Sequence, residues 1–178
     1  MTAFRFARRT TLGAAVFLAG AIGTQGAVAQ TTNCIDTMAR LQEASRFVGV
    51  ASRVHVAQDL REAGPFTVFV PTNAAIDAVR PALQPILFPS SGDGGASADP
   101  VLGPAAVNAH VLEGRYTSAA LASGATVTTR SRAGTSITLS NIGGKVTLTA
   151  NGVTATVLRS DILCSNGVVH VIDHSLVR

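Results

Sequence analysis

The chain of 178 residues carries 14 Lys and Arg residues against ten Asp and Glu residues, and it contains one tyrosine and no tryptophan. Three of the arginines and none of the acidic residues lie in the first 29 residues, so the chain after them carries a net charge of only about +1. Without a basic cluster to track phosphates or aromatic rings to stack on bases, a nucleic-acid-binding protein is not expected.

The first 29 residues are predicted to be a secretory signal peptide. Arg5, Arg8 and Arg9 precede an uncharged apolar run over residues 12–22, and a small-residue pattern ending at Ala29 predicts cleavage after it. The alternative, a membrane anchor, is disfavoured because the run is short and rich in Gly and Ala. The sequence therefore predicts a secreted or periplasmic protein.

The export route stays open between two alternatives. Residues 8–12 match a twin-arginine signal except for Thr11, which stands where phenylalanine is usual, and arginine pairs also occur in ordinary signals. Residues 30–178 have the size of one ordinary domain, and no segment among them is long and apolar enough to cross a membrane. We expect a single exported domain.

The two cysteines lie near opposite ends of this domain. In an exported protein an even pair favours a disulfide between Cys34 and Cys164. Closing so long a loop would remove about 5 kcal/mol of unfolded-chain entropy in the simple model. The alternative, a redox or metal-binding thiol, is disfavoured because neither cysteine has a second one at short spacing.

The first half of the domain is predicted to be mainly helical around one strand. Apolar residues at helical spacing predict a helix over residues 37–64, with Gly64 as its C-terminal stop. Residues 66–70 are predicted to form a strand buried on both faces. Pro71 ends the strand because proline cannot donate to a sheet ladder.

A second helix and a polar loop follow. Thr72 or Asn73 is predicted to cap a helix that continues to Pro81. The stretch from residue 88 to 104 contains a run of Ser and Gly residues and is predicted to be a surface loop within the domain. A short helix is then expected over residues 104–112.

From Thr126 onward the apolar period changes to two, which predicts half-buried antiparallel strands. Turns are predicted at residues 141–144 and 151–152, and a final strand at 168–172. Helices followed by a meander of strands indicate the α+β class.

Three segments resemble the fasciclin (FAS1) domain. Gly64 to Ile76 (GPFTVFVPTNAAI) is similar to the first homology box of that family, residues 165–173 (SNGVVHVID) to the second, and residues 108–114 (NAHVLEG) to its central histidine motif. Their order and spacing identify residues 36–177 as a member, similar to the exported single-domain proteins of bacteria. The resemblance implies an α+β fold, a β-sheet wedge or sandwich with helices packed against it.

The resemblance also implies a role in cell adhesion or extracellular binding. In animal adhesion members a tyrosine before the central histidine contributes to integrin contact, and Ala109 stands there in this chain. An Asp-Ile pair that takes part in the same recognition is present as Asp161 and Ile162. These two and His110 are the candidate binding residues, and integrin itself is not expected to be the partner. The residues assigned to the structural motifs are Thr67, Pro71, Thr72, Asn73, Asn166, Gly167, His170 and Asp173.

The histidines are the main candidates for chemistry, and each has a structural alternative that we favour. His110 and His170 lie in apolar contexts, which indicates buried rings hydrogen-bonded to the backbone. His170 and His174 are four residues apart, but on a strand this spacing keeps them from sharing a metal ion. Asp173 could act as an acid, but it follows the last core strand and is more simply a cap or surface pair.

No enzyme, metal or cofactor is predicted. No nucleophile elbow, catalytic triad or phosphate-binding glycine loop is recognisable. We predict adhesion or surface binding to an unknown protein or cell-surface partner. The alternative is a periplasmic carrier that holds a small apolar ligand in the cleft between helices and sheet. The partner, the oligomeric state, and whether the protein is retained or released stay open.

Overall fold

A computed structural model of the protein describes residues 32–89, 98–121 and 123–178. The predicted signal peptide and most of the predicted Ser/Gly loop lie outside these ranges. Within them the helices are α1 (Cys34–Met38), α2 (Ser45–Arg53), α3 (Val56–Asp59), α4 (Asn73–Asp77), α5 (Gln84–Leu87) and α6 (Leu102–Asn108). The strands are β1 (Phe66–Pro71), β2 (Val111–Glu113), β3 (Thr126–Arg130), β4 (Ser136–Ile142), β5 (Lys145–Ala150), β6 (Val153–Cys164) and β7 (Gly167–Ile172).

The single helix predicted over residues 37–64 is wrong, because the structure divides this stretch into short helices. Asn33 caps α1 by accepting a 2.9 Å hydrogen bond from the Asp36 amide. Leu41 is extended before a 3-10 turn, and His55 takes a left-handed conformation between α2 and α3. The breaks let each short helix turn its own apolar residues inward, so burial overrides helix propensity here. The buried side chains are Cys34, Ile35, Met38, Phe47, Val50, Ala51, Val56, Ala57 and Leu60.

Strand β1 and helix α4 follow the prediction closely. β1 is buried along nearly its whole length and pairs in parallel with β7, from Phe66 opposite Gly167 to Pro71 opposite Ile172. The Thr72 hydroxyl caps α4 by accepting a hydrogen bond from the Ala75 amide. The helix ends earlier than predicted, at Asp77.

The predicted helix over residues 104–112 is wrong at both ends. Helix α6 spans Leu102–Asn108, and the apolar residues after it form β2, which pairs antiparallel with β1. Periodicity cannot distinguish a strand from a buried helical turn over so few residues. Residues 111–113 form a strand because they hydrogen-bond to the edge of β1 that β7 leaves unpaired.

The remaining strands form the predicted meander, and the α+β class is confirmed. The sheet order is β2-β1-β7-β6-β5-β4-β3, with β7 between β1 and β6. A bridge from Leu112 to Ser131 brings β2 beside the end of β3, so the sheet curls towards a barrel. Strand β6 shifts register twice between Val157 and Ile162, which forms a bulge where Asp161 has a positive φ of 57°.

Two clusters of buried side chains hold the layers together. The first lies between the helices and one face of β1 and β7, and it includes Phe47, Val68 and Val169. The second fills the inside of the curled sheet, and it includes Phe69 and Leu148. Strands β1 and β7 therefore contact a core on both faces. No helix within the described ranges is long and apolar enough to cross a bilayer.

Candidate functional site

The side chain of Thr67 joins β1 to the segment that follows β2. Its hydroxyl donates a 2.7 Å hydrogen bond to the Gly114 carbonyl and accepts a 2.9 Å bond from the Tyr116 amide. Because Thr67 is completely buried, both polar functions of the hydroxyl serve the fold.

Asn73 holds the start of α4 against the preceding helices. Its Oδ1 accepts from the Arg46 amide at 3.1 Å, and its Nδ2 donates to the Gln42 carbonyl at 3.0 Å. Pro71, two residues earlier, is the last residue of β1 and is buried. The polar side chains of the first motif thus fasten a strand–helix junction.

The second motif fastens the opposite end of the same pair of strands. Asn166 Oδ1 accepts from the Cys34 amide at 2.9 Å, while its Nδ2 donates to the Leu60 and Glu62 carbonyls at 2.8 Å each. The structure contains the predicted disulfide between Cys34 and Cys164, with a Cα–Cα distance of 5.1 Å. One turn therefore carries a covalent and a hydrogen-bonded connection to the N-terminal helices.

His110 is fully buried and both of its ring nitrogens are engaged. Nδ1 lies 2.8 Å from the Ala106 carbonyl, which can only accept, so Nδ1 carries the proton and Nε2 accepts from the Leu176 amide at 2.9 Å. The ring meets Phe47 edge-on. Burial lowers the pKa of His110 to about 4, and the bond to Ala106 opposes this effect only in part.

This burial predicts a loss of stability in mild acid. The folded pKa of about 4 is below the ordinary 6.5, so the unfolded chain binds a proton that the folded chain excludes. The stabilisation from the neutral His110 ring is complete above pH 6.5 and is lost as the pH falls towards 4. Between pH 7 and pH 5 the free energy of unfolding is expected to fall by about 2 kcal/mol. Urea unfolding at the two pH values measures the loss, and NMR titration of the His110 ring assigns it. An equal free energy of unfolding at both pH values would contradict the prediction.

His170 and Asp161 are brought together at the β6 bulge. His170 Nε2 donates to the Tyr116 carbonyl at 2.8 Å, and its Nδ1 accepts from the Asp161 amide at 3.2 Å. Burial lowers the pKa of His170, against the opposing effects of the Tyr116 carbonyl and the Asp161 charge. The ring stacks on Phe69, so this histidine connects the bulge to the core.

The predicted binding pair, Asp161 and Ile162, is half-buried on this bulge. The Asp161 carboxylate accepts hydrogen bonds from the Ser118 amide, at 2.8 Å, and from the Ser118 hydroxyl. Ile162 packs against the first core cluster. The pair therefore lies at the surface while its principal contacts are internal, and its assignment to binding stays a prediction.

Asp173 extends the pairing of β6 and β7 beyond the end of the ladder. Its Oδ1 accepts from the Thr156 amide at 2.6 Å and lies 2.9 Å from His174 Nδ1. Partial burial raises the pKa of the Asp173 carboxyl, but the bonds from His174 and Thr156 outweigh it and hold the pKa below its usual value. Within the described ranges, no three His, Cys, Asp or Glu side chains come together as a metal site.

An open groove lies between the β4–β5 turn and β6, just before the bulge. Its volume is about 450 Å³, and Ser118, the partner of Asp161, forms part of its wall. Leu158 in the groove is 56% exposed, and Ile142 at the end of β4 is 74% exposed. From the sequence, Gly143 and Gly144 are predicted only to form a turn, because no local spacing shows that this turn lies beside β6. The lining residues are Ser118, Gly143, Gly144, Lys145, Val146, Val157, Leu158 and Ser160.

The curled sheet, the helical layer and the two interlocked motifs define a fasciclin-type fold. A family model described as the fasciclin domain matches residues 42–178, and the chain belongs to that family. It is 31% identical over 159 residues to Protein sll1483 of Synechocystis sp. (strain ATCC 27184 / PCC 6803 / Kazusa), which covers 88% of this chain and 79% of that protein.

A solved structure has the same fold at low sequence identity. The FAS1 domain pair from the insect cell adhesion molecule Fasciclin I matches with a TM-score of 0.62 and 19% identity, over 83% of this chain. The match spans 51% of the insect chain, about half its length.

Family membership supports a general adhesion or binding role. Fasciclin domains are known from cell adhesion proteins, are typically extracellular and are generally not enzymes. The disulfide fits an oxidising compartment.

Proposed function

We propose that this protein is exported and binds a protein or cell-surface partner in adhesion, with the groove beside the β6 bulge as its contact surface. The observation that carries the proposal is the exposure of Leu158, a residue 56% exposed in a recess of about 450 Å³. A large apolar side chain in a recess with a polar rim is typical of a binding surface. The export step rests on the predicted signal peptide, residues 1–29.

The predicted binding residues take different parts in this proposal. Asp161 shapes the groove because its carboxylate holds Ser118, which belongs to the wall. Ile162 supports the bulge from the core side. His110 lies away from solvent, and we assign it to stability rather than to direct contact.

Photo-crosslinking in the cells that produce the protein tests the contact surface. We expect a crosslinking amino acid at position 158 to give a specific adduct, and the same amino acid at position 101 to give none. Val101 is the matched control because it is also apolar and is 73% exposed, but it lies beside α6. Equal adducts at both positions would contradict the proposed groove.

Substitution of Leu158 measures how much this side chain contributes to partner binding. Leu158→Ser is expected to weaken partner binding about fivefold, since the interface loses roughly 1 kcal/mol of apolar burial. Val101→Ser is expected to leave binding unchanged. Both variants are compared by binding to the captured partner and by thermal melting, and an equal loss of binding in the two would refute the assignment.

Native mass spectrometry separates this proposal from the carrier alternative. The cleft between helices and sheet is where the first core cluster packs. We expect protein purified from its own cells to have the mass of the polypeptide alone. A retained small apolar molecule would favour the carrier.

A further inference from the structure

The outer face of β3–β6 carries an ordered array of hydroxyl side chains. Strand register aligns them in two rows, each crossing all four strands. The opposite face of the same strands is apolar and lines the second core cluster, so the hydroxyls lie on the outside of the curled sheet. We call these eight residues the hydroxyl face: Thr126, Ser140, Thr147 and Thr156 in one row, and Thr128, Thr138, Thr149 and Thr154 in the other.

The hydroxyls within each row are close enough to pair. Oγ1 of Thr128 lies 3.3 Å from Oγ1 of Thr138, and that of Thr149 lies 3.1 Å from that of Thr154. A third pair, Thr126 and Ser140, is 3.0 Å apart. Each pair uses one proton internally and keeps one donor and several lone pairs for a ligand. Two neighbouring oxygens that both donate and accept are complementary to the adjacent hydroxyl groups of a sugar ring.

The charge on this face is mostly positive, with the Asp173 carboxylate at its edge, where it accepts from the Thr156 amide. No Asp or Glu occurs from residue 114 to residue 160, whereas five Lys and Arg residues do. Two of these, Arg132 and Arg159, form ion pairs with acidic side chains of the helical layer. Up to residue 160, before Asp161 at the β6 bulge, the strands therefore supply only positive charge, and a ligand with negative charge is favoured.

Two further cations lie on the hydroxyl face and have no ion-pair partner among the described residues. Arg130 is opposite Ser136, one step beyond the second row, and Lys145 is opposite Ile142, one step beyond the first. The rows that contain Arg130 and Lys145 are six residues apart along β4, which corresponds to about 20 Å. Rows lie about 7 Å apart and neighbouring strands about 4.8 Å apart. A ligand that meets both cations and the hydroxyls between them must be a chain of several units.

From this arrangement we infer that the hydroxyl face binds an anionic polysaccharide. The hydroxyl pairs recognise the sugar hydroxyls, and Arg130 and Lys145 attract carboxylate or sulfate groups on separate units. The face has no aromatic side chain on which a nucleobase could stack. This activity goes beyond the proposed protein-binding groove and depends on different residues, apart from Lys145 at the boundary.

Affinity electrophoresis of the exported protein in gels that contain one polysaccharide at a time tests the inference. Alginate supplies carboxylates, dextran sulfate supplies sulfates, and dextran is the neutral control. Retardation by alginate or by dextran sulfate, with little retardation by dextran, is the expected result and tells which anion is preferred. The inference would be overturned by equal retardation in dextran gels or by equal retardation in gels that contain single-stranded oligothymidylate. It would also be overturned if no polysaccharide retarded the protein.

Paired variants distinguish binding by the residues of the hydroxyl face from a general effect of the protein's net charge. Arg130→Gln with Lys145→Gln is expected to weaken binding about fivefold, whereas Arg40→Gln with Arg80→Gln, which removes the same charge elsewhere, leaves it unchanged. Thr128→Val with Thr149→Val is expected to weaken binding about tenfold. Thr128→Ser with Thr149→Ser keeps the hydroxyls and is expected to keep binding. Equal losses in the two charge variants, or full binding by the valine variant, would overturn the inference.

Discussion

Gly167→Ala is expected to destabilise the domain by about 4 kcal/mol, a large fraction of the roughly 5–15 kcal/mol of an ordinary domain. An added Cβ would lie 2.1 Å from the Phe66 carbonyl oxygen and 3.0 Å from Cys34 Sγ. The nearest atom belongs to the backbone of β1, which is paired on both sides by β2 and β7, so it cannot rotate away. The same restriction applies in the other direction at Gly64, where an added Cβ would lie 2.0 Å from the Asn166 carbonyl oxygen. The two motifs approach each other through these two glycines, where the Phe66 amide donates to the Asn166 carbonyl.

Gly49→Ala is the matched control for this experiment. Gly49 lies inside α2, and its added Cβ would meet no atom within 4 Å. Alanine there is expected to stabilise the domain by about 0.5–1 kcal/mol, because glycine loses more backbone entropy in a helix. Urea unfolding followed by circular dichroism measures both variants. If Gly167→Ala unfolds at the midpoint of the wild type, the close approach of the two motifs is not as described.

Loss of the disulfide is expected to have an effect of similar size. Cys34 and Cys164 are 130 residues apart, so the bond removes up to about 5 kcal/mol of unfolded-chain entropy. The double variant Cys34→Ala with Cys164→Ala should lower the urea midpoint strongly. Both cysteines are buried, so the loss also includes packing.

Reduction of the wild type separates the bond from the side chains. Chemically reduced protein keeps both sulfur atoms, and we expect it to lose nearly as much stability as the double variant. Alkylation of both cysteines in unreduced protein would show that no bond is present. An unchanged midpoint after complete reduction would refute the expected contribution.

The elements that the sequence predicts correctly are those in which local chemistry and the tertiary fold favour the same structure. The buried strand before Pro71, the cap at Thr72 and the alternating strands after Thr126 each have a short-range signal, and the structure contains all of them. The prediction is wrong at His55, whose left-handed conformation breaks a helix that propensity alone would continue. It is also wrong at β2, because the pairing that makes those residues a strand comes from β1, more than 40 residues earlier in the chain.

The candidate surfaces were only partly visible in the sequence for the same reason. Asp161 stood out through a family resemblance, but its partner Ser118 has no sequence signal, since the β6 bulge alone brings the two together. The threonines of the hydroxyl face appear in the sequence as ordinary alternation. Only the register of β3–β6 aligns them in rows, and register depends on turn geometry as well as on pattern.

The position of β7 sets an order in which the fold can be completed. β7 follows every other strand in the chain, yet it lies between β1 and β6 and is their shared neighbour. Without β7, the β1–β2 pair and the β3–β6 meander meet at the short bridge between Leu112 and Ser131, and no ladder joins β1 to β6. β7 joins them by pairing with β1, about 100 residues earlier in the chain, and contacts so distant in sequence form slowly. The sheet can therefore be completed only after β7 (Gly167–Ile172) has been made, close to the C-terminal end of the chain.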